Sequence, residues 1–116
     1  MFIRIKNLKL KTKIGVYPEE RKKPQEIILQ IKIELMDDRA GQSDDLSDTL
    51  DYDELCQKIS LEVEKSEFFL LEKLASHLLD LILENEKTLR AWVEITKLHI
   101  LKNADAVSVE AFRDRL

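Results

Sequence analysis

From Gln25 to Met36 the chain alternates without a break: Ile27, Leu29, Ile31, Ile33 and Leu35 fall on one side, Gln30, Lys32 and Glu34 on the other. Alternation of this length predicts a long strand with one face in the core and one in water. Residues 2–14 alternate too, but the phase slips, because Ile3 and Ile5 are odd whereas Leu8, Leu10 and Ile14 are even. A bulge near Lys6-Asn7 joins the two halves into one strand, paired antiparallel with the next. Past the slip, Lys9, Lys11 and Lys13 project together from the face opposite Leu8 and Leu10, either as a solvated sheet face or as a positive row that attracts a polyphosphate.

The period then changes. Tyr52, Leu55, Cys56, Ile59 and Val63 are spaced i, i+3, i+4, i+7 and i+11, which predicts a helix burying one stripe, with Tyr52 as core at its entrance. Asp51 and Glu54 supply a capping arrangement at its start. Ser66-Glu67-Phe68-Phe69 interrupts the pattern, and Leu71, Leu74, Ala75, Leu78, Leu81 and Ile82 resume it as a second helix ending near Asn85. Strands over Ala91–Lys97 and Ala106–Arg113 complete the order β-β-α-α-β-β. Gly15–Gln25 is a turn-rich connection and Asp37–Asp51 an acidic, polar one. The expected fold is α+β, residues 1–116 forming one domain with two helices on one face of a four-stranded antiparallel sheet. Such a sheet has edges that need cover.

Bulk properties narrow the function. A chain of 116 residues is small for an enzyme that must enclose a substrate, so a neighbouring copy is expected to complete any site. Charges of both signs are interspersed at a net −4, which leaves no basic footprint for nucleic acid. No apolar run is long enough for a membrane span, and Met1-Phe2-Ile3-Arg4-Ile5-Lys6 lacks the apolar core of a signal peptide, so a cytoplasmic protein is expected. The lone Cys56 reads as a small buried apolar residue, not a nucleophile. His77, His99 and Cys56 have no ligand-like spacing for zinc, and two glycines, Gly15 and Gly41, are too few for a phosphate loop.

One position stands out chemically. Val93, Ile95 and Lys97 share a strand face, so a hydrophobic row ends in an amine. That amine is either a snorkelling edge charge or a reactive group held on a rigid element.

The run Glu94-Ile95-Thr96-Lys97-Leu98-His99, followed by Asn103-Ala104-Asp105-Ala106-Val107-Ser108, resembles the dihydroneopterin aldolase family of pterin enzymes. Three further runs agree in order: Gly15-Val16 with Glu20 and Gln25; Ala40 with Asp44, Asp45, Asp48, Thr49 and Tyr52; and Leu70-Leu71-Glu72-Lys73-Leu74. Within the family, Lys97 followed by Leu98-His99, with Leu98 in place of the aldolases' proline, and Ser108 in place of glycine look more like the dihydroneopterin triphosphate 2′-epimerase branch than the aldolases. The resemblance implies the tunnelling fold, with subunits continuing one another's sheets into tetrameric rings stacked as octamers and with sites between chains.

It also implies roles. Glu72, with Leu71, grips the pterin ring, since a carboxylate accepts two parallel N–H donors with both oxygens. Tyr52 packs against the pterin beside Thr49, Leu50 and Asp51. Glu20 lies near the side-chain hydroxyls, an assignment that adjacent Glu19 leaves open by one position. Lys97 moves protons at the reacting carbon, and His99 lies near the hydroxyls or phosphates. The chemistry implied is a retro-aldol step run by acid–base catalysis, which needs neither metal nor cofactor.

Overall fold

Alternation and helical spacing decide the layers. The computed structural model describes residues 1–116: strand β1 (Phe2–Thr12), a 3-10 turn (Pro18–Arg21), β2 (Gln25–Leu35), the single turn α1 (Ala40–Ser43), a second 3-10 turn (Leu46–Asp48), helices α2 (Tyr52–Lys65) and α3 (Leu71–Leu83), then β3 (Thr88–Leu98) and β4 (Ala106–Asp114). The sheet runs β1-β2-β3-β4 in chain order, with every pair antiparallel. α2 packs on β1 and α3 on β3 and β4, all on one face. Between the layers lies a core of 20 buried apolar residues, supplied mainly by the odd positions of β2 and β3 and by Leu55, Ile59, Val63, Leu74, Leu78 and Ile82. No helix is long and apolar enough to cross a membrane.

The phase slip in β1 is a bulge. Ile5 faces Ile31 and Leu8 faces Leu29, so β1 spends one residue more than β2 between these pairs. Asn7 takes φ +55°, a left-handed conformation that asparagine tolerates better than most residues. Its backbone N–H donates to Gln30 Oε1 at 2.9 Å, and the Gln30 amide donates back to its Oδ1. The Asn7 N–H freed at the bulge is thereby satisfied.

Three expectations need correction. β3 begins at Thr88 rather than Ala91, because Leu89 is an extra residue between the pairs Glu34–Arg90 and Leu35–Thr88. The shift puts Thr88, not Leu89, in the core, where its hydroxyl donates to the Ile82 carbonyl at 3.3 Å. Tyr52 is not core: it is the first residue of α2, directly after the cap, and its ring is 63% exposed. The buried stripe starts one turn later at Leu55, and Cys56 beside it is only half-buried. Burial still pushes the Cys56 thiol pKa up, with Asp53 adding to the effect, which disfavours the reactive thiolate.

Asp51 caps α2 as the sequence suggests, its Oδ1 accepting the Asp53 and Glu54 N–H groups at 3.1 Å each. Ile59 is fully buried at the centre of the α2 face. Ile59→Ala is expected to lower unfolding free energy by about 2–5 kcal/mol. Urea denaturation at fixed protein concentration measures this as a lower midpoint with unchanged slope.

Candidate active site

Lys97 is the penultimate residue of β3, on the helix-facing side, and only 7% of it reaches solvent. A buried ammonium must find acceptors. It donates to Glu20 Oε2 at 2.6 Å and to the Ile14 carbonyl at 3.3 Å. Glu20 sits in the Pro18–Arg21 turn with its side chain 17% exposed, and the Tyr17 N–H donates to its other oxygen at 3.3 Å. Glu19 instead faces solvent and pairs with Lys22, so of the two adjacent glutamates it is Glu20 that reaches the amine. The Lys97 ammonium beside it is the largest cause holding the Glu20 carboxyl below the usual carboxylate range, against the smaller opposing effect of burial.

Gly15 makes the pair possible. Its φ is +133°, and a Cβ built on it would lie 2.2 Å from Glu20 Cδ. The carboxylate rests where any other residue would carry a side chain. Gln25, the first residue of β2, fixes the same loop from the other side, its Nε2 donating to the Ile14 carbonyl at 3.0 Å and to the Glu20 carbonyl at 3.4 Å.

The sheet forks at this end. β2 and β3 are paired only as far as Ile28–Thr96; beyond that, β2 follows β1 to Thr12–Gln25 and β3 follows β4 to Leu98–Ala106. The cleft between them is lined by Lys23, Gln25, Glu26, Lys97, Leu98 and His99. His99 opens the β3–β4 connection at φ +57° and is exposed. On the open face of the sheet nearby, Lys9 and Lys11 lie across from Ile28 and Glu26. Lys13, expected in the same row, turns to Glu67 at 3.8 Å.

The remaining candidates fall into two groups. Leu71 and Glu72 begin α3 at the Lys97 end, where the segment before them is tied down by Thr12 Oγ1 donating to the Ser66 carbonyl at 2.8 Å and by Arg21 donating to the Phe68 carbonyl at 3.0 Å. Leu71 is buried, and the exposed Glu72 carboxylate has no hydrogen-bond or ion-pair partner in the chain. Thr49, Leu50, Asp51 and Tyr52 lie elsewhere, at the start of α2, where they line a hollow with Met1, Phe2 and Leu35. Leu50 is buried, Thr49 and Asp51 half-buried, and Tyr52 exposed. The 14 residues of α2 put about 21 Å between this group and the Ser66 end. One chain therefore carries its two groups of candidate residues at opposite ends.

Sequence reasoning missed the Ile14 carbonyl and Arg21. A backbone acceptor leaves no mark in side-chain pattern, and an arginine in a charged loop is indistinguishable from a solvated one.

Gly15→Ala is expected to force the Glu20 carboxylate off Lys97. Stability should fall most above the usual carboxylate range, where the pair is fully formed. The parent loses this contribution only as pH falls through the lowered Glu20 value. Thermal melting of both proteins across acid and neutral pH measures it, and curves separated equally at every pH would contradict the role given to the pair.

Comparison with known proteins gives the kinship. The family model FolB, dihydroneopterin aldolase, matches residues 3–112. The chain is 43% identical over 107 residues to the dihydroneopterin triphosphate 2′-epimerase of Escherichia coli K12, covering 92% of this chain and 89% of that one. Among solved structures, one from Vibrio cholerae assigned as a FolB dihydroneopterin aldolase superposes with a TM-score of 0.93 at 30% identity, over 99% and 98% of the two chains. The Escherichia coli dihydroneopterin aldolase in complex with neopterin superposes with a TM-score of 0.90 at 26% identity, over 97% and 98%. Four antiparallel strands backed by two helices are the tunnelling fold of these proteins, and the chain belongs to the dihydroneopterin aldolase family.

Proposed function

We propose that the chain is a dihydroneopterin triphosphate 2′-epimerase that inverts C2′ of the pterin side chain by a retro-aldol and an aldol step. The observation that carries this reading is the buried Lys97–Glu20 pair at 2.6 Å, at the same end as the unpartnered carboxylate of Glu72. Glu72, with Leu71 beside it, accepts the exocyclic amino group and adjacent ring N–H of the pterin as a bidentate pair. The ring is thereby anchored so that its side chain reaches Lys97 and Glu20.

The steps balance without an added reagent. The 2′-hydroxyl loses its proton, C2′ becomes an aldehyde carbon, the C1′–C2′ bond breaks, and its electron pair enters the conjugated imine of the dihydropterin ring. Lys97 moves the proton through a water, and Glu20 holds the amine in place and accepts from the side-chain hydroxyls. No Schiff base is required, because the ring is the electron sink. If the bound aldehyde turns its other face and the bond re-forms, the product is the 2′-epimer. If the aldehyde leaves and C1′ is protonated, the product is that of an aldolase.

Leu98 and His99 in the fork, with Lys23, Lys9 and Lys11 around it, support a phosphorylated side chain as the natural substrate. The 43% identity over 107 residues to the Escherichia coli epimerase, against 31% over 91 residues to the aldolase of the same organism, supports the same choice. A triphosphate does not cross a bilayer unaided, so the reaction belongs in the cytoplasm.

The separation of the two groups supports an active site between subunits, with Tyr52, Thr49, Leu50 and Asp51 of one copy closing over Glu72, Lys97 and Glu20 of the next. β1 and β4 are both edge strands open to pairing, which suits a tetrameric ring, two of them stacking as an octamer.

Chiral chromatography of products from dihydroneopterin triphosphate separates the activities. The 2′-epimer is expected to dominate; release of a phosphorylated aldehyde without epimer would make the chain an aldolase, and tight pterin binding with no product a non-catalytic binder. Lys97→Ala is expected to bind pterin and lose at least about 10²-fold in turnover. Refolded together with Tyr52→Ala, it should regain up to about a quarter of parental activity, because random assembly gives that share of sites both native residues. No regain would mean the two residues do not share a site across an interface.

A further inference from the structure

Arg21 follows Glu20 in the same turn, yet it enters no ion pair. Its guanidinium is spent on backbone. Nη1 donates to the Gly15 carbonyl at 3.2 Å and the Phe68 carbonyl at 3.0 Å, Nη2 donates to the Glu67 carbonyl at 2.7 Å, and Cζ sits 4.3 Å from the centroid of the Phe69 ring. These partners belong to two segments far apart in sequence. Gly15 is the surface on which the Glu20 carboxylate rests, and the carbonyl just before it, that of Ile14, accepts from Lys97. Glu67, Phe68 and Phe69 lead into α3, which has no capping side chain at its start and carries Leu71 and Glu72 in its first turn.

Other ties join the α2–α3 connection to β1 and its end, namely Thr12 to Ser66 and Lys13 to Glu67. Arg21 alone bonds it to the turn that carries Glu20. A lysine could not replace it, since a compact tetrahedral ammonium has neither the forked span to reach three carbonyls in two segments nor a plane to stack on a ring.

We infer that Arg21 is a positioning residue, the strut that sets the spacing between the Lys97–Glu20 pair and the entrance of α3, and so aligns the pterin ring with the groups that act on its side chain. The inference rests on the proposed pterin chemistry. A displacement of about 1 Å between binding and reacting groups is enough to cost about 10²-fold in rate.

The test uses Arg21→Lys and Arg21→Met in the full-length protein. It measures kcat and KM on whichever pterin the parent turns over, the affinity and number of sites for neopterin by its fluorescence, and titration of the Glu20 carboxyl by NMR without ligand. The groups bonded to that carboxylate are Lys97 from β3 and the Tyr17 N–H from its own turn. Both variants are expected to lose about 10²-fold in kcat, to keep neopterin affinity within about fivefold at unchanged site number, and to titrate Glu20 at higher pH than the parent, as Lys97 loosens. A kcat within about twofold of the parent, an unmoved Glu20 titration, or a kcat loss matched by lost neopterin sites would overturn the inference. Should the parent turn over neither dihydroneopterin triphosphate nor dihydroneopterin, the proposed function fails, and the Glu20 titration alone decides the part of Arg21.

Discussion

Much of this structure follows from burying one ammonium. Lys97 continues the core-facing row of Val93 and Ile95, and at 7% exposure its charge has lost nearly all contact with water. A buried charge left without a partner is costly, and removing one partner of such a pair typically costs about 3–5 kcal/mol. Glu20 and the Ile14 carbonyl supply the compensation. Both come from the link between β1 and β2, so a segment with loop composition is tied to the end of β3 by a buried ion pair and a hydrogen bond.

That requirement propagates. The carboxylate reaches Lys97 only by lying against a residue without a side chain, which is Gly15. Gln25 holds the loop from the β2 side, and Arg21 carries the constraint onward to the start of α3. A buried ion pair and a free carboxylate are thus held at one end of the chain by polar contacts on a rigid core, as the proposed acid–base chemistry requires.

The opposite end is stabilised differently. On the open sheet face Lys32 lies 4.6 Å from the ring centroids of both Phe2 and Trp92, and Trp92 packs against Phe112 at 5.0 Å. One row further along, Arg90 bridges Glu34 at 2.8 Å and Asp114 at 2.9 Å across three strands. The Tyr52 group sits at this end. A single copy separates the two groups by the length of a helix, which is the physical basis for reading them as halves of a shared site.

The alternation of β2 and the helical spacing of Leu74, Leu78 and Ile82 were sufficient to predict the architecture, because burial of a period-2 or period-3.6 row is a local constraint. The β1 bulge was legible for the same reason: a phase slip cannot be hidden in a half-buried strand. Tyr52 was misjudged, and Thr88 was left outside the strand expected from Ala91, because one residue of cap or bulge changes which side chain enters the core, and hydrophobicity alone does not count that residue. Lys97, Glu20 and Glu72 were legible as candidates through their chemistry and their motifs. That Lys97 is buried, that Glu20 rather than Glu19 meets it 77 residues away in sequence, and that Arg21 joins two loops by their carbonyls were decided only by the tertiary structure. Such contacts depend on distances between distant segments and on backbone atoms that every residue carries alike.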